Sequence, residues 1–307
     1  MASGHFGDRV SLANRPVWLP YAPWLFLLVW SAGYAMAKLA LLYTGPLNLL
    51  ALRFVGASAV LWPVVLIVRP AWPRWDAVRD ILVVAFFLQL VHFGCIYVGL
   101  WLGASAGVMA LFAASQPILI TIVAGILTGL AIPARVWVGL GLGLCGAGWV
   151  IGVKGEFSDG ALLGALLGFC AMVGLSIGQV YDKRTKPVCH PLLVYVLQYG
   201  FAGLVSAPIA LAFEGFEVVW TVPFVSALIF LVLVNSLLGI FLMLTMVRFG
   251  QISRVTSIMF LVPGVAALIA WFVVDEVMPI LAWPGILCAA CGVLLVLYAP
   301  TTEASGQ

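Results

Sequence analysis

Ten long apolar runs follow one another along the chain, over 22–43, 47–68, 79–101, 104–129, 134–153, 159–181, 190–213, 222–247, 252–274 and 280–299, and polar residues collect between them. The separators are short and carry Gly, Pro or charge: YTGP, RPAWPRWDAVRD, LAIPAR, KGEFSDG, KRTKP, EGFEVVWTVP and VDEVMP. Most runs reach the ~20 residues that cross a hydrocarbon core. No separator is long enough to fold as a soluble domain. The pattern predicts an all-α integral membrane protein of ten transmembrane helices.

The runs also repeat. Trp137, Gly139, Cys145 and Gly146 return as Trp283, Gly285, Cys291 and Gly292, each 146 positions later, as Pro117 and Pro133 return as Pro263 and Pro279. At a spacing of 145, Ser31 meets Ser176, Gly33 meets Gly178, Lys38 meets Lys183, Pro46 meets Pro191 and Pro63 meets Pro208. A constant spacing held over most of the chain marks a duplication. It predicts a five-helix repeat at 22–153 and a second at 159–299, with tails at 1–21 and 300–307. Because five is odd, the second copy enters the membrane from the opposite side, giving an inverted-topology repeat. Such a pair can exchange inside and outside around a fixed central site, which points to transport.

Composition agrees with the pattern. The chain is 64% hydrophobic and 8% charged, against roughly a quarter charged in soluble domains. With the N-terminus in the cytoplasm, the inner side receives Arg9, Arg15, Arg69, Arg74, Arg79, Arg135, Lys183, Arg184, Lys186, Arg248 and Arg254, and the outer side only Lys38, Arg53 and Lys154. That asymmetry predicts both termini inside, so the net +3 reflects topology and gives no sign of nucleic-acid binding. Ala35-Met36-Ala37 resembles a signal cleavage site, but the apolar run through it exceeds a signal core, and the first span is read as uncleaved. The six cysteines, two of them spaced as CxxC within the last apolar run (Cys288 and Cys291), show no metal-ligand spacing with His and read as packing residues, so no metal and no cofactor is expected.

The strings WSAGYAMAKLAL, LNLLALRF, ASAGVMALFAASQPILITIVAGIL with WVGLGLGLCGAGWVIG, and SRVTSIMFLVPGVAALIAWFVVDEVMPILAWPGILCAACGVLLVLY resemble the two EamA-type repeats of the drug/metabolite transporter superfamily, over 22–299. The resemblance implies a 5+5 inverted arrangement in the plasma membrane, that of a bacterial inner membrane here, and export of metabolites. Arg53 matches the family's second-helix arginine. One departure is Leu130, standing where the second repeat has Glu276.

Polar residues at membrane depth point to a site, since each is costly unless it faces protein or water. The third run places Gln89, His92, Phe93 and Tyr97 on one broad face, and the first places Trp30 and Tyr34 together. Ser115 and Gln116 flank Pro117; Ser176 and Gln179, Asn235 and Ser236, and Ser257 with Phe260 follow in the second half. The set predicts a substrate pocket of aromatic rings and neutral hydrogen-bonding groups between the repeats, with no charge at its centre. His92 is the candidate for proton coupling. Pro117 and Pro263 interrupt their helices symmetrically and are candidate hinges. Lys38 and Arg53, a turn or two inside the outer surface, are expected to snorkel or to pair with Asp275 or Glu276 as an external gate. Glycines at four-residue spacing, from Gly139 to Gly168, suit close helix packing within the chain or between protomers.

The expected function is therefore a secondary transporter of small amphipathic metabolites, above all aromatic or other neutral amino acids. Its aromatic lining most resembles the bacterial aromatic amino-acid exporters of the YddG type. No GxxxxGK[ST] motif is present, so a gradient, of protons or another ion, is expected to supply the energy. Two alternatives stand beside it. One is an exporter of cationic drugs; the other is an intramembrane hydrolase using Ser105, within GASAG, and His92.

Overall fold

The structure, a computed structural model, describes residues 16–129, 131–154, 159–249, 259 and 261–297. Among the described residues the chain is helical, and its one β-contact is an isolated bridge between Thr44 and Val218. Seven helical stretches among the described residues, Ala106–Val123 counted as one, are long and apolar enough to cross a membrane, and Val262–Val274 and Ile280–Val296 are shorter apolar ones. In chain order the helices are α1 (Ala22–Ala40), α2 (Pro46–Val68), α3 (Trp75–Trp101), α4 (Ala106–Ala114), α5 (Gln116–Thr128), α6 (Ala134–Lys154), α7 (Asp159–Thr185), α8 (Pro191–Glu214), α9 (Val222–Met246), α10 (Val262–Val274) and α11 (Trp283–Leu297).

Local chemistry sets the ends. α1, α2, α5, α8, α9 and α10 each carry Pro in the first turn, where its missing N–H has no partner to lose. Side chains of Ser105, His190 and Thr221 accept backbone N–H groups of Val108, Leu192 and Phe224, capping α4, α8 and α9. Gly129 and Gly215 end α5 and α8 in the left-handed conformation.

Two features depart from uninterrupted spans. The fourth run is interrupted rather than broken: at Ser115, still in the right-handed helical region, ψ opens to −1°, α4 ends and Pro117 follows in the first turn of α5. Pro263 opens α10 in the same manner after Leu261. Residues 252–258 of the ninth run, with Ser257, and also Phe260, lie outside the described residues. Second, α3 and α9 each contain a wide π turn, Phe86–His92 and Phe230–Leu238. At the 145-residue spacing the first falls within the second.

Packing is closest where side chains are smallest, as expected when lipid removes the hydrophobic drive between helices. α2 lies antiparallel to α8: Phe54 stacks on Tyr199 with ring centroids 5.6 Å apart, and a Cβ on Gly203 would fall 3.0 Å from Val55. α6 lies antiparallel to α11: a Cβ on Gly139 would fall 2.6 Å from the Gly292 carbonyl oxygen, and one on Gly285 2.7 Å from that of Gly146. Gly160 and Gly164 bring α7 equally close to the backbone of Leu102 and Gly99. Gly139, Gly160, Gly164 and Gly168 of the glycine rows thus serve contacts within this chain, whereas Gly148 has nothing within 4 Å.

Candidate functional site: a buried arginine in an aromatic cavity

α1, α2, α3 and α9 enclose a small cavity lined by Trp30, Gly33, Tyr34, Arg53, Phe93, Ile96, Tyr97 and Asn235. Its volume is about 20 Å³, room for a water molecule and far less than a metabolite needs. The rings therefore close on one another here, and a substrate enters only if they part.

Arg53 dominates the cavity. It lies seven residues into α2, ~10 Å from the helix start at 1.5 Å per residue. Snorkelling does not occur: the residue is 2% exposed. Its Nε donates to Ser236 Oγ (3.0 Å), Nη1 to the Tyr97 hydroxyl (2.6 Å) and Nη2 to Asn235 Oδ1 (2.8 Å). The guanidinium carbon stands 4.1 Å from the centre of the Phe93 ring, a cation–π contact. Among the described residues no carboxylate is within ion-pair reach of it. The expectation of a charge-free centre is thus corrected: sequence position placed Arg53 near a surface, whereas the bundle buries it.

Asn235 is fixed by its own network. Its Nδ2 donates to the Val29 carbonyl at 3.1 Å, leaving Oδ1 to Arg53. Gly33 permits this approach, because a Cβ there would overlap the Asn235 amide. The π turn of α9 sets the neighbouring Ser236, whose Oγ also bonds the Leu231 carbonyl five residues back. π turns recur at functional sites because they re-aim side chains.

The other expected site residues divide as follows. Trp30, Tyr34, Phe93, Tyr97, Asn235 and Ser236 come together around Arg53. Gln89 and His92 turn elsewhere: Gln89 Nε2 donates to Gln198 Oε1 at 3.0 Å, and His92 Nδ1 lies 3.0 Å from the Ala171 carbonyl. Gln89 Oε1 and His92 Nε2 are buried without a partner. The helical face proposed for all four residues is broken by the π turn between them. Ser115 and Ser176 bond carbonyls four residues back in their own helical stretches, those of Leu111 and Met172. Gln116 Nε2 is buried and unpartnered, and Gln179 is half-buried outside the cavity lining. Ser105 caps α4 and shares no hydrogen bond with His92.

Beyond the cavity, one end of the bundle is tied by two acids. Lys38 Nζ meets Glu276 Oε2 at 2.7 Å, and that oxygen also accepts the Ala106 N–H at the start of α4. Asp275 ends α10 in the left-handed conformation and is exposed. Glu214, which the sequence reading passed over, accepts the Leu47 and Asn48 N–H groups (3.0 and 2.8 Å) at the start of α2. Thr44 Oγ1 and Asn48 Nδ2 add bonds to the Glu217 carbonyl.

The repeat spacing held the signal for the missed residues. Gln198 stands 145 positions after Arg53, and Asn235 stands 146 after Gln89. The contacts Arg53–Asn235 and Gln198–Gln89 are therefore counterparts.

Among the described residues the chain is an apolar helical bundle with a buried arginine in a small aromatic cavity, and the comparisons with known proteins give its class. The model of the EamA-like transporter family matches the chain twice, over residues 21–152 and 162–298. The chain belongs to that family and is a membrane transporter of the drug/metabolite type. It is 24% identical over 277 residues, 88% of each chain, to the uncharacterized transporter YvbV of Bacillus subtilis (strain 168). A solved crystal structure shares the fold at a TM-score of 0.63 and 19% identity, across 91% of this chain and 96% of the other.

Proposed function

We propose that this chain is a ten-helix secondary transporter whose two five-helix halves, inverted with respect to each other, export small amphipathic metabolites by alternating access. Amino acids with aromatic or other neutral side chains are the substrates proposed first. The observation that carries the reading is the cavity itself, where rings from the first half meet Asn235 from the second.

The inverted arrangement draws support from reciprocal contacts. Gly139 touches Gly292 and Gly146 touches Gly285, and adding 146 to the first of each pair gives the second of the other. Phe54 and its counterpart Tyr199 stack on each other, as residues beside a two-fold axis must. With both termini cytoplasmic, the end tied by Glu276 and Glu214 faces outward, and Lys38, Arg53, Asp275 and Glu276 belong to or adjoin the outer gate. Neither acid has an acidic counterpart on the inner end: Glu214 corresponds to Arg69 and Glu276 to Leu130. At these two positions the outer end carries an acid tethered to a neighbouring helix start and the inner end does not, which favours a resting state closed outward. Pro117 and Pro263 are the hinges, each in the first turn of a helix after an interruption.

Counterflow tests the reading. Proteoliposomes containing the purified chain and loaded with unlabelled L-phenylalanine should accumulate labelled L-phenylalanine, and tetraphenylphosphonium should compete poorly. Strong competition by the cation without amino-acid counterflow would favour the drug exporter instead.

A further inference from the structure

A cation buried at membrane depth costs several kcal/mol unless something compensates it. Arg53 receives three neutral acceptors and one ring face, but no carboxylate among the described residues. Of the five N–H donors of a guanidinium, these bonds occupy three. Joining α2 to α9 does not itself require the charge. The counterpart contact, between α8 and α3, is made by Gln198 and Gln89, an uncharged pair. The two halves thus use the same position differently, and the charged version is the one that lines the cavity.

We propose that Arg53 is an anion anchor and that the transported substrate presents a carboxylate to it. This rests on the reading that the cavity carries the substrate. A guanidinium keeps its charge throughout a transport cycle and matches a carboxylate with two parallel N–H donors. When the cavity opens, the carboxylate takes over donors now held by Asn235 and Tyr97, while Trp30, Tyr34 and Phe93 hold the apolar part. The substrate class is then organic carboxylates with an aromatic or apolar body; an amino group is tolerated but is not what the site selects.

Four probes sharing one ring test this against the full chain in lipid nanodiscs: L-phenylalanine, 3-phenylpropionate, L-phenylalaninamide and 2-phenylethylamine. Calorimetry should show the two carboxylates binding at least about tenfold more tightly than the other two, the size of one charge-assisted hydrogen bond. Arg53→Gln should bring all four within about twofold of one another, and Arg53→Lys should keep part of the preference. The ligand series on the unmodified chain decides the matter even if Arg53→Gln fails to fold. Equal binding of carboxylates and non-carboxylates overturns the anchor. Equal counterflow of all four probes also overturns it while leaving the transport reading intact. Binding and counterflow of none of the four overturns both for aromatic substrates.

Discussion

Replacing Glu214 by Gln probes the latch proposed for the outer end. The carboxylate spends both oxygens on the first free N–H groups of α2, Leu47 on Oε1 and Asn48 on Oε2. A primary amide keeps one acceptor and turns an N–H₂ toward the other donor, so one bond is lost and one amide is left facing a donor. The interaction of a negative charge with the helix N-terminus, ~0.3–2 kcal/mol, is lost as well. Adding ~1.5–3 kcal/mol for a hydrogen bond to a charged group, the contact should weaken by about 2–5 kcal/mol in all. Hydrogen exchange in nanodiscs reads this directly: protection of the Leu47 and Asn48 amides should fall by about thirtyfold or more at 1.4 kcal/mol per tenfold. Bonds from Thr44 and Asn48 to the Glu217 carbonyl remain, so the loss of protection should be greatest at the start of α2. Gly45→Ala should act similarly, because a Cβ there overlaps the Glu214 carboxylate while the Gly45 backbone (φ −71°, ψ 160°) suits alanine. Exchange at these two amides unchanged within twofold in both variants would refute the latch.

Other consequences follow from the same contacts. Gly285→Leu should destabilise the chain by at least ~1–3 kcal/mol, seen as a lower thermal midpoint, because its Cβ meets the Gly146 carbonyl and cannot be relieved by a rotamer change. Gly148→Ala, at a glycine with nothing within 4 Å, is the control and should be neutral. Pro117→Ala and Pro263→Ala should fold but transport more slowly; wild-type rates in both would make these prolines static interruptions. Reporter fusions should place residues 71 and 307 in the cytoplasm and residue 156 outside, and an external C-terminus would end the inverted-repeat proposal.

The membrane-spanning, all-helical character was legible because apolar runs and their Gly and Pro boundaries are local properties. The pairing of Lys38 with Glu276 was also within reach, since both lie at helix ends on one side of the proposed topology. Arg53 was not placed in this way. Its depth in α2 fits snorkelling as well as burial, and only the approach of α9, through Gly33 and the π turn, decides between them. The face assigned to Gln89, His92, Phe93 and Tyr97 assumed an unbroken α-helical period. The π turn at Phe86–His92 rotates the first two away toward Gln198 and Ala171. Nothing in hydrophobic periodicity reports such a turn. The internal repeat did carry the information, because Arg53 aligns with Gln198 and Glu214 with Arg69.

Alternating access between two inverted halves is the central claim, and a paired distance measurement tests it most directly. Spin labels on noncanonical residues, chosen because six native cysteines are present, would sit at Leu42 and Val219 on the latched end and at Trp72 and Val188 on the other, all exposed positions. In Glu214→Gln protein, electron–electron resonance should show the 42–219 distances lengthening while the 72–188 distances shorten, relative to the unmodified chain. Distances at both ends that stay fixed, or that move in the same direction, would contradict the account.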